Sequence, residues 1–309
     1  MTVFFFIFIF SASIYSPDLL NISNEGEGYI SSSVFKNLTS IIALVGTALL
    51  FFLLGFFDDF FNFRAITKIT LQVLFCMIYI HDTDLFQITG SAFFNYLYTL
   101  TWLVGITNAA NLIDNFDGIC SSVVSLSAIA LLLLLTFQNN DVNLFYVIAI
   151  LSILIGCLIG FLLHNFPPAT IFMGDSGSMA LGFIIASVSI PTQMSNHFGL
   201  GDEINIAKAL IPICVLSFPI FDTTLVTLSR IKNNKKIYHG GRDHTAHRLS
   251  VVGLSNTQVL LVIMIYSMIG IFVSFLIFTY KELMISIFLI YFLINAMLLF
   301  YFLRREKSI

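Results

Sequence analysis

The chain has 309 residues, of which 58% are hydrophobic and only 10% are charged, and its mean hydropathy is +0.96. Soluble domains carry about a quarter charged residues, so this composition excludes a soluble globular enzyme, a disordered tail and a secreted disulfide module. The net charge of −3 and the pI of about 6.0 exclude the basic footprint of a nucleic-acid-binding protein. The composition predicts a polytopic membrane protein with no nucleic-acid partner.

Ten apolar runs approach the length of a spanning helix, which needs about 20 mostly apolar residues. In chain order they are 3–15, 40–57, 66–81, 93–110, 119–137, 144–163, 178–195, 206–228, 257–279 and 283–303. The runs are too uniformly apolar for barrel strands, and open sheets leave backbone groups unpaired in lipid, so we expect an all-α transmembrane bundle of about ten spans. The first run has an alternative interpretation as a signal peptide, although no basic residue precedes it.

Basic residues are distributed unequally between the connections. Eleven of the fourteen Lys and Arg residues lie after the second, fourth, sixth and eighth runs or at the C-terminus. Because loops rich in Lys and Arg remain in the cytosol, we predict that these connections face the cytosol. The sequence shows no internal repeat and no linker to a soluble domain, so we interpret 1–309 as one integral membrane domain.

Four of these connections carry nearly all of the unusual polar residues: 58–68, 108–118, 164–178 and 230–250. Because all four are expected on one side of the membrane, their acidic residues, amides, histidines and arginines should converge on one surface. Asp58 and Asp59 directly follow two phenylalanines, and carboxylates this close to hydrocarbon tend to mark function. The alternative interpretation of this aspartate pair is a solvated helix end.

The second polar segment suits a hard cation. Asp114 and Asp117 are three residues apart and therefore on one face of a helix, and Asn111 continues that face. Mg²⁺ binds in proteins through one or two carboxylates together with substrate phosphates. The alternative interpretation is again a polar helix end.

The third polar segment predicts a loop followed by the start of a helix. The Pro167-Pro168 pair prevents the preceding helix from continuing, and Gly174 allows a close approach of the backbone. Asp175 or Ser176 is expected to cap the next helix, whose exposed N–H groups form an anion site.

The fourth polar segment contains a cationic cluster formed by His244, His247, Arg242 and Arg248. Two interpretations are open: a basic loop that meets anionic headgroups, or a group of side chains that holds a diphosphate. Asp222, in the preceding apolar run, is either an inward-facing support for the site or a structural hydrogen-bonding group.

In this order, the four segments resemble those of the polyprenyl-phosphate N-acetylhexosamine-1-phosphate transferase family. That family includes undecaprenyl-phosphate GlcNAc-1-phosphate transferase and phospho-MurNAc-pentapeptide transferase. The resemblance runs from about Leu54 to Ser250. The matching motifs are the aspartate pair Asp58-Asp59, the NxxNLxDGxDG segment at Asn111-Leu-Ile-Asp114 and Asp117-Gly118, the FxGDxGS segment at 172–178, and the histidine loop at 242–248.

The resemblance implies a Mg²⁺-dependent phosphotransferase, with Mn²⁺ as an alternative ion. Phe172 would stack on uracil, and the histidine loop would meet the sugar and the phosphates. We expect catalytic roles for Asp58, Asp59, Asp117 and His244, substrate contacts from Lys68, Asn108, Asp114, Asn165, Phe172, Arg242, His247 and Arg248, and metal ligation by Asp175 and Asn111.

The implied partners are a UDP-N-acetylhexosamine and a polyprenyl phosphate such as undecaprenyl phosphate. The implied location is a bacterial-type plasma membrane, with multiple spans and a cytosolic active site, and a homodimer is compatible with it. The implied reaction releases UMP and initiates cell-wall or surface-polysaccharide synthesis. The alternatives are an inactive relative that binds the lipid carrier, and a secondary transporter with intramembrane carboxylates.

The sequence departs from the family pattern at two points. Asn115 stands where the family usually has Gly, although Asn tolerates a positive φ well. The family normally carries an additional N-terminal span and a basic cytosolic loop, whereas no Lys or Arg precedes Lys36 here. Two interpretations remain: the sequence begins late relative to the family, or some nucleotide contacts are missing.

Overall fold

The protein is all-α wherever its structure is described. The computed structural model describes residues 27–81, 83, 88–137, 145–190, 207–238 and 241–305, and within these residues it contains helices and turns but no strand. The prediction of an all-α fold is confirmed. The first apolar run, 3–15, lies outside the described residues.

The helices follow the apolar runs of the sequence. They are α1 (Glu27–Phe61), α2 (Ala65–His81), α3 (Ala92–Ile113), α4 (Ile119–Thr136), α5 (Phe145–Asn165), α6 (Gly174–Ser189), α7 (Ala207–Val215), α8 (Ser217–Lys232), α9 (Thr245–Val251), α10 (Asn256–Thr279) and α11 (Met284–Arg305). A 3₁₀ turn at Lys281–Leu283 precedes α11.

Several helices are suited to a membrane by length and composition. Among the described residues, the segments that are long and apolar enough to cross a membrane are Leu38–Phe61, Ile119–Thr136, Tyr146–Asn165, Asn256–Thr279 and Lys281–Arg304. The pair formed by α7 and α8 makes a sixth if it is counted as one broken span, and α2 is a shorter apolar helix. These helices support a polytopic membrane protein, while the count of about ten spans stays a prediction.

The run predicted as one span over 206–228 is bent by 78° between α7 and α8, so the expectation of a continuous span is wrong. The cause is Pro219, in the first turn of α8, which has no N–H to donate to the carbonyl of Val215 four residues earlier. That carbonyl instead accepts a hydrogen bond from Ser127 Oγ of α4 at 3.2 Å. A side chain of a neighbouring helix therefore satisfies the break.

Helix α6 packs between α1 and α3 through a tightly fitted interior. The ring of Phe183 stacks on Phe51 of α1 at 4.8 Å and meets the edge of Tyr79 of α2 at 5.1 Å. On another side of α6, Gly182 lies so close to α3 that an added Cβ would come within 2.8 Å of Ala110 Cβ and of Thr107 Cα. The close approach of these helices depends on a glycine at position 182.

We expect Gly182→Ala to destabilise the protein, because the new methyl group would overlap a backbone atom of α3 and overpacking typically costs about 1–3 kcal/mol. The matched control is Gly105→Ala on α3, since an added Cβ there meets nothing within 4 Å. Thermal unfolding of the purified proteins in one detergent measures the difference. Equal unfolding temperatures for the two variants would contradict this account of the packing.

Candidate functional site

Polar side chains from four helices meet at one end of the bundle, as the sequence predicts. Lys68 Nζ, in the first turn of α2, lies 2.7 Å from Asp58 Oδ2 at the end of α1. The same ammonium lies 3.4 Å from Asp175 Oδ2, in the first turn of α6. Asn111 Nδ2, near the end of α3, donates to Asp175 Oδ1 at 3.0 Å. We call Asp58, Lys68, Asn111 and Asp175 the carboxylate cluster.

The end of α1 holds Asp58 in a fixed orientation. Asn62, with a φ of 48°, ends the helix and turns the chain towards α2. The backbone N–H of Phe63 then donates to Asp58 Oδ1 at 2.8 Å, while Oδ2 faces Lys68. Both oxygens of this buried carboxylate therefore have partners, and its negative charge is compensated by an ammonium group.

The start of α6 approaches α1 without an intervening side chain. An added Cβ at Gly55 would come within 2.4 Å of the backbone of Asp175 and Ser176. Gly174 has a φ of 68°, and a Cβ there would lie 3.2 Å from Asp59 Oδ2. Glycine at these two positions lets both adjacent aspartates approach the N-terminus of α6.

The expectation that Asp175 or Ser176 caps α6 is wrong, because the helix begins at Gly174 and no side chain caps it. Asp175 instead lies in the first turn, where the helix dipole favours negative charge. Asn111 also donates to Ser178 Oγ at 2.9 Å. Asn111 thus turns its amide nitrogen towards Asp175, and its role as a metal ligand stays a prediction.

The predicted cation site was expected to lie on one helical face, and the turn between α3 and α4 shows that this expectation is wrong. Helix α3 ends at Ile113, so Asn111, Asp114 and Asp117 do not share a helical face. Asp117 Oδ2 accepts a hydrogen bond from the backbone of Ala169 at 3.1 Å, which ties this turn to the third polar segment. Burial, and then the negative charge of Asp175, raises the pKa of Asp114 to about 7.

Two of the amides predicted to bind substrate are engaged by the protein itself. Asn165 accepts from Gly118 N at 3.1 Å and from Ser121 Oγ at 2.8 Å, and it donates to the carbonyl of Ile171. Asn108 donates to Gln72 Oε1 at 2.6 Å. These amides join neighbouring helices and loops, and their contacts with substrate stay predictions.

Buried ion pairs hold the histidine loop against α8. Arg230, whose side chain is 4% exposed, makes a two-point contact with Asp243, at 2.8 Å from Nε to Oδ2 and 2.9 Å from Nη2 to Oδ1. Burial alone would raise the pKa of Asp243, but the paired guanidinium outweighs burial and holds that pKa below its usual value. Arg248 is also buried and donates to the carbonyl of Asp243 and to Ser229 Oγ.

The accessible side chains of the histidine loop indicate which side of the loop a ligand can reach. His247 is half-buried, and its ring lies 6.0 Å from the ring of Phe116 in the α3–α4 turn. Burial, then the positive charges of His244 and Arg242, lowers the pKa of His247. Arg242 is exposed, and the ring of Phe172 is 77% exposed, so both are open to a soluble ligand.

The oxygen-rich donors of the carboxylate cluster fit a hard cation that is only partly held by protein. Within the described residues, no three His, Cys, Asp or Glu side chains are arranged to enclose a metal ion. Mg²⁺ characteristically uses one or two carboxylates and completes its shell with water and substrate phosphates. Asp175 is the candidate ligand, because about a third of its side chain is exposed, whereas Asp58 is 8% exposed.

Sequence reasoning did not single out Ser178, Gln72 or Arg230, which the structure places in the site. Gln72 follows Lys68 by one helical turn within an apolar run, and this spacing could have revealed it. Arg230 and Asp243 are 13 residues apart and do not share a helix, and the sequence carries no spacing signal for such a pair.

Comparison with known proteins identifies relatives over most of the chain. A family model described as glycosyl transferase family 4 matches residues 41–193. The "probable undecaprenyl-phosphate N-acetylglucosaminyl 1-phosphate transferase" of Bacillus subtilis is 32% identical over 284 residues, covering 87% of this chain and 74% of that protein.

Two other relatives are similar over shorter stretches. The decaprenyl-phosphate N-acetylglucosaminephosphotransferase of Mycobacterium leprae is 32% identical over 71% of this chain and 59% of its own length. The phospho-N-acetylmuramoyl-pentapeptide-transferase of Streptococcus pneumoniae is 36% identical over 52% of each chain. The chain thus spans between about half and three quarters of the length of these relatives. The match to the family model and the 32% identity to the Bacillus subtilis protein over 87% of this chain show that the chain belongs to glycosyl transferase family 4.

Proposed function

We propose that this protein transfers N-acetylhexosamine-1-phosphate from a UDP-sugar to a polyprenyl phosphate and releases UMP. The observation that carries the proposal is the carboxylate cluster, in which four helices bring acidic, basic and amide groups to the N-terminus of one of them. Helix N-termini and lysines bind phosphate groups, and aspartates hold the ions that accompany diphosphates. The names of the relatives, which are transferases on undecaprenyl or decaprenyl phosphate, support the same reaction and do not favour a transporter.

The reaction would be a displacement at phosphorus. An oxygen of the polyprenyl phosphate attacks the β-phosphorus of the UDP-sugar, the bond from that phosphorus to the bridging oxygen breaks, and UMP leaves with the oxygen. Catalysis of phosphoryl transfer depends mainly on positioning and on charge neutralisation. Lys68 and the N-terminus of α6 supply positive charge on the protein side of this site.

The acceptor needs orientation more than deprotonation. The second pKa of a phosphate monoester is about 6, so the acceptor phosphate is largely dianionic at neutral pH. We therefore assign Asp58 and Asp59 to ordering the groups around the acceptor phosphate. The two aspartates differ in their surroundings. Asp58 is paired with Lys68, whereas Asp59 lies beside Gly174 at the start of α6.

A Mg²⁺ ion, when bound, would neutralise charge on the diphosphate and on the leaving UMP. Asp175 would hold it, with Asn111 as a second ligand or as the group that orients Asp175. Phe172, Arg242 and His247 would contact the nucleotide and phosphates, because Phe172 and Arg242 are exposed and His247 is only half-buried. The excess of Lys and Arg in the same connections supports a cytosolic location of this end of the bundle in a bacterial plasma membrane.

We expect Asp175→Asn to lower the rate of UMP release by at least about 100-fold, because it removes the charged oxygen on which a cation site depends. Glu282→Gln, an equivalent change in the exposed turn between α10 and α11, is the control and should retain the wild-type rate. The assay uses purified protein, undecaprenyl phosphate and a panel of UDP-sugars that includes UDP-GlcNAc and UDP-GalNAc. Similar small effects of both substitutions would refute the assignment of Asp175.

Removal of divalent cations tests the metal proposal directly. We expect EDTA to abolish UMP release by the wild-type protein and added Mg²⁺, or Mn²⁺, to restore it, because phosphate-bridging ions act as electrostatic clamps in such reactions. The control is the same protein in EDTA with a monovalent salt of matched ionic strength. UMP release that continues at the full rate in EDTA would contradict the proposal that a divalent cation is required.

A further inference from the structure

Asp222 is a buried carboxylate of α8 that contacts the histidine loop. It lies in α8 shortly after the bend, and it is 2% exposed. Its Oδ2 lies 2.8 Å from Nδ1 of His244. Its Oδ1 accepts a hydrogen bond from the backbone N–H of Thr245 at 2.7 Å. One carboxylate thus holds both the ring of His244 and the first residue of α9.

The chemistry of this contact decides which nitrogen of His244 carries a proton. A carboxylate can only accept hydrogen bonds, so Nδ1 must be the donor. The neutral ring then leaves Nε2 with a free lone pair, and the protonated ring leaves Nε2 with a proton to donate. Carboxylate partners of this kind fix the tautomer and orientation of functional histidines in many sites.

The surroundings of His244 leave Asp222 as its carboxylate partner. Asp243, the next residue along the chain, is already bound at two points by Arg230. On the other side, the ring of His247 lies 6.3 Å from that of His244, and His247 in turn contacts Phe116 in the turn that follows Asp114. The two imidazoles therefore connect α8 to the side of the molecule where the acidic segments meet.

We infer that Asp222 is a positioning residue for His244: it accepts a hydrogen bond from Nδ1, and the protonated ring donates from Nε2 to the diphosphate of the donor. This inference rests on the proposed function, because it assigns a task to His244 in that reaction. It also gives a reason for the bend between α7 and α8. The bend sets the direction of α8 and thereby places Asp222 under the histidine loop.

A double-mutant cycle tests whether Asp222 acts through His244. We expect Asp222→Asn to lower kcat/KM for UDP-GlcNAc by about 100-fold, because the amide oxygen can still accept from Thr245 while its NH₂ group faces Nδ1. His244→Ala should lower it at least as much. In the His244→Ala background, the further loss from Asp222→Asn should be below about threefold, since residues of one network are not additive. Losses that multiply would overturn the inference.

Thr223→Val is the matched control for the cycle. Thr223 is the neighbour of Asp222 on α8, and its buried hydroxyl has no hydrogen-bond partner among the residues that the structure describes. The isosteric change should leave kcat/KM within about twofold of wild type, because nothing is lost when an unpaired buried hydroxyl becomes a methyl group. A loss as large as that of Asp222→Asn would mean that any change in this turn of α8 is disruptive, and it would overturn a specific role for Asp222.

A spectroscopic measurement separates this inference from the proposed reaction. In protein labelled with ¹⁵N-histidine, at alkaline pH, we expect His244 to be protonated at Nδ1 in the wild type and at Nε2 in Asp222→Asn, with His244→Ala identifying the signal. If the wild type releases no UMP but shows this change, the reaction is wrong and the positioning by Asp222 stands. A proton on Nε2 in the wild type, or an unchanged tautomer in Asp222→Asn, would overturn the positioning even in an active enzyme.

Discussion

The contact of Lys68 with both Asp58 and Asp175 is the interaction on which the site depends. Asp58 lies at the end of an apolar helix and is almost entirely buried, and a buried carboxylate without a partner is strongly unfavourable. The ammonium of Lys68 compensates this charge and, through Asp175, ties α1 and α2 to the start of α6. Gly55 makes the contact sterically feasible, since a side chain there would separate α1 from α6.

The same contact explains why the proposed reaction would need a divalent cation. Two carboxylates and one ammonium leave the cluster with an excess of negative charge, and that excess opposes an approaching diphosphate. Positive charge brought by an ion would reverse the sign of the local field and attract the donor and the acceptor phosphate together. Binding of the ion and binding of the diphosphate would thus be coupled, which suits a site where protein supplies only part of the coordination shell.

The sequence predicts an all-α bundle in which the polar segments meet. Charged residues in so apolar a chain must lie together, where partners can compensate their charges. It wrongly predicts a shared helical face for Asn111, Asp114 and Asp117, since spacing alone cannot reveal that α3 ends at Ile113. The bend after α7 was encoded by Pro219, but a long apolar run resembles a continuous span more closely than a broken one. The Arg230–Asp243 pair joins residues that are 13 positions apart and do not share a helix, so local patterns do not determine it.

The site has two halves that are held in different ways. The carboxylate cluster is built on helices whose close approach is set by glycines. The histidine loop, which ends in the short helix α9, is instead fixed by buried charges: Asp222, the Arg230–Asp243 pair, and Arg248, which also donates to the carbonyl of Phe302 in α11. The match to the family model ends at residue 193, before this loop. The names of the relatives specify different sugars. Because a loop fixed by a few ion pairs can change its outer side chains without repacking helices, we expect the choice of sugar to depend on the histidine loop and the transfer of phosphate to depend on the carboxylate cluster.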